Sequence, residues 1–329
     1  MTVCLASFAA KGKAIVMVSD KAVTYGDDED SSSSGPMQYD TSVKKLKQIG
    51  KTFWYALIAG EPTFALDVVD GAEQIITQNE ELSASAAGMM ACVKASYKKR
   101  REALAVDRVL SPRMLTKDLL VARTSDMLPL DQEFVFGVSA ELKNFKTRSS
   151  LLICGFDSRG QPHIFSVTNP GLLNSHDLTG FHAVGIGAKM AISRLLVLES
   201  RKEDRLELSL YQAFDAKVNA EITHGVGYNW DAEVLVPGRA AINVPDRIAR
   251  MIERAYDGLP LVPFADGTKR AQQVLKEFKM SAQLAKPLSE FADSVLARAK
   301  PPHSNKKSAT RTLDGTKRRI NPGWRRLVR

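Results

Sequence analysis

The chain opens Met-Thr, and the pair can do chemistry once Met1 is removed. Methionine aminopeptidases clip Met ahead of a small residue, and Thr2 would then carry a hydroxyl and a free α-amine on one framework. A neutral alcohol is a poor nucleophile and needs a base within hydrogen-bond reach. The amine of an N-terminal residue has a reference pKa of about 7.7–8.0, close to operating pH, so it can serve as that base. A neighbouring ammonium would lower that pKa and keep the amine unprotonated. Lys44 and Lys45 are the candidates, and Asp20 would hold such a lysine charged and oriented. Gly60, ending an apolar run, offers a backbone N–H to a developing oxyanion, because glycine lets a carbonyl approach closely. The inferred reaction is amide hydrolysis through an ester-linked acyl-enzyme at Thr2, resolved by water. Taken singly, each residue has an ordinary explanation: a turn acid, an exposed edge pair of lysines, a turn before a helix.

The elements that must position these residues begin as β structure. Val3, Leu5 and Phe8 lead into a turn at Lys11-Gly12-Lys13, and AIVMVSD is a nearly continuous apolar run ending on Asp20. That pattern predicts a hairpin whose second strand is buried on both faces. The acidic, serine-rich stretch 27–35 reads as an unpacked loop. SVKKLKQIG then alternates as a strand with Lys44 and Lys45 early in it, and KTFWYALIAG follows as another. Apolar residues at helical spacing predict helices over 62–78 and from about Ser83. The stretch 106–149 is less regular: SPRMLTKDLLVAR suggests a short helix with Pro112 at its start, and LDQEFVFGVSAEL is ambiguous. SLLICGFD and PHIFSVT predict a second hairpin, GFHAVGIGA a strand with a glycine turn, and 189–199 and 208–223 two helices. WDAEVLVPG supplies a late strand, and 245–258 and 269–285 read as further helices. Antiparallel hairpins alternating with helix pairs point to a layered α+β sandwich rather than a doubly wound sheet.

The combination resembles the proteasome-type N-terminal nucleophile hydrolases. The residues that carry the likeness are Thr2, DKAVT (20–24), VKKLKQI (43–49), ALIAGEP (56–62), LLICGFDSRGQPHIFSVTNPG (151–171) and FHAVGIGA (181–188). It covers roughly residues 2–237 with a gap in the middle, and is closest to uncharacterised single-chain bacterial and archaeal relatives that begin M-T-x-C. The resemblance implies a four-layer αββα sandwich of antiparallel sheets over 1–240, with an insertion at about 106–149; beyond it, periodicity gives a helical extension over 241–299, and a composition rich in Pro, Ser, Asn and Gly gives a disordered basic tail at 300–329. The resemblance favours Lys45 over Lys44 as the inward lysine. The catalytic set is then Thr2 as nucleophile and amine base, Asp20, Lys45 and the Gly60 N–H. Two departures bear on activity. The Ser that active members carry inside the glycine turn is Ile186 here, and their Asp and Ser before the last strand fall loosely on Thr223 and Val226, with His224 adjacent. Cys4 should point into the core from the first strand.

Bulk properties constrain the rest. The net charge of +9 resides in residues 300–329, where ten Lys/Arg face one acid; the remaining 36 basic and 36 acidic residues cancel. Polyanion binding, nucleic acid included, would therefore belong to the tail, which holds a single aromatic, Trp324, for stacking. Three cysteines without metal spacing (Cys4, Cys92 and Cys154) read as buried thiols, and no metal or other cofactor is expected. No apolar run approaches a membrane span and no signal peptide opens the chain, so a cytoplasmic location is expected, with no membrane partner. The implied partner is a peptide or amide substrate. A homo-oligomer is a further implication of the family, although the insertion and the C-terminal helices can block or replace its ring contacts. The alternative to a threonine peptidase is a non-catalytic scaffold with the same sandwich.

Overall fold

A computed structural model describes residues 2–25, 37–40, 44–121, 132–257 and 282–299. Met1, the acidic loop 27–35, most of the helix expected over 269–285 and the tail 300–329 lie outside the described residues. The fold is α+β, with two five-stranded antiparallel sheets.

The first sheet is built on the N-terminal hairpin, β1 (Val3–Ala9) and β2 (Ala14–Asp20), whose residues are buried throughout on both faces. Strands β3 (Ala22–Tyr25) and β4 (Met37–Asp40) pair with each other as a separate ribbon, with Ala22 opposite Asp40. The second sheet carries β5 (Leu46–Gln48) and β6 (Trp54–Ala59). The strand expected across both lysines is therefore shorter: Lys44 and Lys45 precede β5, although the Ile58 N–H still donates to the Lys45 carbonyl at 2.9 Å.

Helix α1 (Pro62–Gln78) starts with Pro at its first turn, where a missing N–H costs nothing. Its Phe64, Val68, Ala72 and Ile76 form one buried stripe. In α2 (Ala86–Ala105) the Ser85 side chain caps the helix by accepting from the Gly88 N–H at 3.1 Å. Within the irregular stretch, Ser111–Arg113 forms a single tight turn, followed by α3 (Lys117–Val121) and α4 (Gln132–Asn144). The ambiguous LDQEFVFGVSAEL is thus helical from Gln132 onward, and Val109, Leu110 and Val138 give this region a small apolar cluster of its own.

The second hairpin, β7 (Ser150–Phe156) and β8 (Pro162–Thr168), extends the second sheet, joined by a strand the sequence pattern did not reveal, β9 (Leu172–Ser175). β10 (Phe181–Gly185) pairs with β1. Helices α5 (Ala188–Val197) and α6 (Leu206–Ala220) follow, then β11 (Trp230–Leu235) and the short β12 (Ile242–Asn243). The sheet orders are β10-β1-β2-β11-β12 and β5-β6-β7-β8-β9. Helices α7 (Asp246–Asp257) and α8 (Ala282–Ala297) end the described chain.

Side-chain alternation along the strands sorts the core. Val3, Leu5, Val16 and Val18 pack with α5 and α6, and the same cluster takes in Ile248, Ile252, Leu288 and Val295 from α7 and α8. Cys4, Ala6, Phe8, Ile15 and Met17 point the other way and mix with Tyr55, Leu57, Leu152, Cys154 and Ile164 of the second sheet. The outer face of that sheet, with Trp54, Ile58, Ile153 and Phe165, packs against α1 and α2. Among the described residues, no helix is long and apolar enough to cross a membrane, and no group of metal-ligating side chains could hold a metal ion.

Candidate active site

Thr2 precedes β1 and Asp20 is the last residue of β2, so the hairpin register brings both to one end of the first sheet. Asp20 is buried and locked by the backbone: its Oδ1 accepts the Val3 N–H at 2.9 Å and its Oδ2 the Gly227 N–H at 3.0 Å. Lys45 enters from the second sheet. Its Nζ donates to Asp20 Oδ1 at 2.9 Å and to the Ala22 carbonyl at 2.5 Å. Thr2 Oγ1 lies between the two charged groups, donating to Asp20 Oδ1 and accepting from Lys45 Nζ. Lys45 keeps only 10% of its side chain exposed and Asp20 none, so the charges attract each other with little screening. The structure thus brings Thr2, Asp20 and Lys45 into mutual contact.

Lys44 turns away to an ion pair with Glu233 at 2.7 Å and a hydrogen bond to Asn243 at 2.8 Å. A cleft of about 340 Å³ opens there, lined by Lys21, Lys44, Trp230, Asp231, Asn243 and Asp246 among others.

Gly60 follows β6 at φ +93°, a backbone shape that side chains rarely adopt. A Cβ there would overlap the Arg148 carbonyl oxygen. The carbonyl that crowds Gly60 is therefore the chain's own, a structural reason for glycine apart from any oxyanion role.

The glycine turn after β10 serves Thr2 through its backbone. Gly185, at φ +100°, lies so close to the Thr2 carbonyl that a side chain would overlap it, and the Gly187 N–H donates to the same oxygen at 3.4 Å. Ile186 sits between them, half exposed, and Val226 is buried beside Val3 in the apolar cluster. Thr223 is half-buried and His224 exposed.

Cys4 is on the same face of β1 as Thr2. Burial above all pushes its thiol up to about 12, against the pull of Lys45, and it donates to the Ile58 carbonyl at 3.3 Å. It is an inert thiol at neutral pH. Cys92 and Cys154 are likewise buried and free.

Among the charged side chains that the sequence reading missed is a buried lysine close to the site. Lys217, fully buried in α6, donates to the Glu221 carboxylate and to the Tyr228 carbonyl. The only sequence signal was a Lys–Glu pair at helical spacing, a pattern that ordinarily marks a solvated helix face.

No protein-family model and no curated protein matches the sequence. Among solved structures, the chain is similar to eukaryotic HslV from Trypanosoma brucei, with 16% identity and a TM-score of 0.43 over 71% of this chain and 99% of that one.

Proposed function

We propose that this chain is a threonine-type N-terminal nucleophile hydrolase that cleaves amide bonds with Thr2 after loss of Met1. One observation carries the reading: a buried Thr2 hydroxyl held in direct contact with both Lys45 and Asp20. A hydroxyl with no reaction to perform gains little from a buried lysine ammonium, whose desolvation is costly. In the proposed mechanism the Thr2 amine, freed by Met1 removal, takes the hydroxyl proton as Oγ1 attacks the scissile carbonyl. Lys45 stabilises the negative charge on Oγ1 and disfavours a second ammonium beside it. Asp20 keeps Lys45 charged and aimed. The Gly60 N–H is assigned to the oxyanion. The Thr2 ammonium gives the hydroxyl proton to the leaving amine as the C–N bond breaks; water then attacks the ester, the Thr2 amine taking its proton and returning it to Oγ1 as the acid departs. The fold that goes with this reading is the four-layer αββα sandwich over 1–240, interrupted at 106–149 and extended by the helices of 241–299.

Intact mass and electrophile labelling test it. The processed chain should lack Met1 and gain one equivalent of a peptide epoxyketone, an agent that needs both the hydroxyl and the amine of an N-terminal Thr. Thr2→Ala should gain none. A retained Met1, or processed protein that never labels, rejects the mechanism.

A second reading, a non-catalytic scaffold of the same fold, is favoured by Ile186 and Val226. Neither side chain supplies a polar group near Thr2, and Ile186 instead faces solvent as an apolar contact. Processed but unlabelled protein is the outcome that selects it.

A further inference from the structure

The Lys217 side chain is completely buried, near the C-terminal end of α6. A buried ammonium persists only when paired and hydrogen-bonded, and even then a well-packed apolar residue of similar volume would often be as stable. Its retention therefore asks for a positional explanation. Glu221 and Tyr228, which accept from Lys217, lie on either side of one short segment. Glu221 caps the end of α6, and the Tyr228 carbonyl ends the loop that follows. Between them the chain makes the tight sequence Thr223-His224-Gly225-Val226-Gly227, with Gly225 at φ +92° and the Val226 N–H donating back to the Thr223 carbonyl at 3.2 Å. The next donor along, the Gly227 N–H, is the group that binds Asp20 Oδ2.

We infer that Lys217 and Glu221 are positioning residues for the candidate active site: the pair pins residues 225–228 so that the Gly227 N–H holds Asp20, and through it Lys45, against Thr2. The connection is physical and short. Lys217 fixes the Tyr228 carbonyl, one residue from the Gly227 amide. That amide fixes one oxygen of Asp20, and the other oxygen carries Lys45 and Thr2. Glu221 has a second part, because its carboxylate gives the buried Lys217 ammonium a charged partner of its own. Burial pushes the Glu221 carboxyl up, against the pull of Lys217, and the charge of Asp20 adds to the push, so the two carboxylates are within electrostatic reach. Where polar side chains are lacking at Ile186 and Val226, support for the site comes from beneath, out of α6. The catalytic consequence rests on the reading of Thr2 as nucleophile; the anchoring of Asp20 does not.

Two measurements on Lys217→Met, Lys217→Arg and the unsubstituted full chain separate those claims. Amide hydrogen exchange reads the anchor: in Lys217→Met the Gly227 N–H should exchange faster by about tenfold or more while the β1–β2 amides stay protected, and Lys217→Arg should recover much of that protection. Epoxyketone labelling reads the consequence, with a rate falling by about tenfold in Lys217→Met and returning towards normal in Lys217→Arg. Unchanged Gly227 exchange overturns the inference, as does faster exchange with an unchanged labelling rate. If the unsubstituted, processed chain does not label at all, the nucleophile reading fails, and exchange at Gly227 still decides the anchor. Should Lys217→Met not fold, Glu221→Gln keeps the shape of the pair at the partly exposed helix end and is read in the same way.

Discussion

Two polar inclusions interrupt the apolar interface between the sheets, and they manage charge in opposite ways. At one end, Asp20 and Lys45 form an ion pair, with backbone N–H groups and a carbonyl filling out their hydrogen bonds. Along the other edge, Ser166 of β8 alternates with Phe165 and Val167 and so faces the first sheet, while His182 of β10 alternates with Phe181 and Ala183 and faces the second. His176 bridges them: its Nε2 bonds Ser166 Oγ at 2.9 Å and its ring stacks on His182 with centroids 3.5 Å apart. Burial depresses both imidazoles, and His182 falls to about 4, with His176 adding to the effect. One inclusion holds charge in place; the other excludes it. A poised nucleophile belongs with the first, because a charged cluster can stabilise a developing alkoxide and a stack of neutral rings cannot.

The sharpest way to break this contrast is to neutralise the charged end. Lys45→Met should leave the sheets paired but lower the epoxyketone labelling rate of Thr2 by about 10³-fold or more, because it removes the charge beside Oγ1. A labelling rate within a few-fold of normal would remove Lys45 from the mechanism.

Gly60 sharpens the comparison by separating architecture from chemistry. Gly60→Ala must move Arg148 or strain a φ of +93°, so the expected cost is about 3 kcal/mol or more, read as a lower denaturation midpoint. A variant as stable as the unsubstituted chain but unable to label would instead return Gly60 to a purely chemical role.

The neutral inclusion predicts a pH dependence. The unfolded chain takes up a proton at His182 near 6.5 and the folded chain only near 4, so the stability it contributes is present above 6.5 and is lost as pH falls from 6.5 towards 4. His176 acts in the same direction. His163 acts in the opposite one: burial works against its charge, but Asp177 and Asp157 outweigh burial and raise it, so its contribution is present below 6.5 and is lost as pH rises above it. His182→Phe, which preserves a stacked ring, should flatten the acid limb of a stability-versus-pH curve. An unchanged limb would assign acid sensitivity elsewhere.

How much of this was legible follows from what each signal depends on. Strand burial and the α1 stripe depend on local periodicity, and the hairpin, α1 and the glycine turn stand where the pattern put them. Thr2, Asp20 and the Lys44–Lys45 pair were legible as candidates near element ends that periodicity locates, but the preference for Lys45 over Lys44 came from the family resemblance alone. The Lys217–Glu221 pair was not legible, because burial along α6 is set by the elements packed on it, chiefly α5, β1 and β2, and not by the helix's own periodicity. The stacked histidines were hidden for a like reason: His176 and His182 belong to a loop and a strand whose approach depends on both sheets. Periodicity reports which face is apolar, but not which polar residue a distant element will cover.

The smallest expected effect belongs to Lys44, and it tests the choice between adjacent lysines. Lys44 and Lys45 have the same side chain and neighbouring positions, yet half of the Lys44 side chain is exposed while Lys45 retains only 10%. Lys44→Ala removes a partly screened pair with Glu233, so it should cost at most about 1 kcal/mol of stability, less at high salt. Labelling of Thr2 should stay within about twofold, since a half-exposed charge contributes little at a distance in water. Suppose instead that Lys44→Ala slows labelling as strongly as Lys45→Met. The nucleophile would then depend on total positive charge at the mouth of the site rather than on one ammonium in contact with Oγ1, and the geometry around Asp20 would lose its significance for the chemistry.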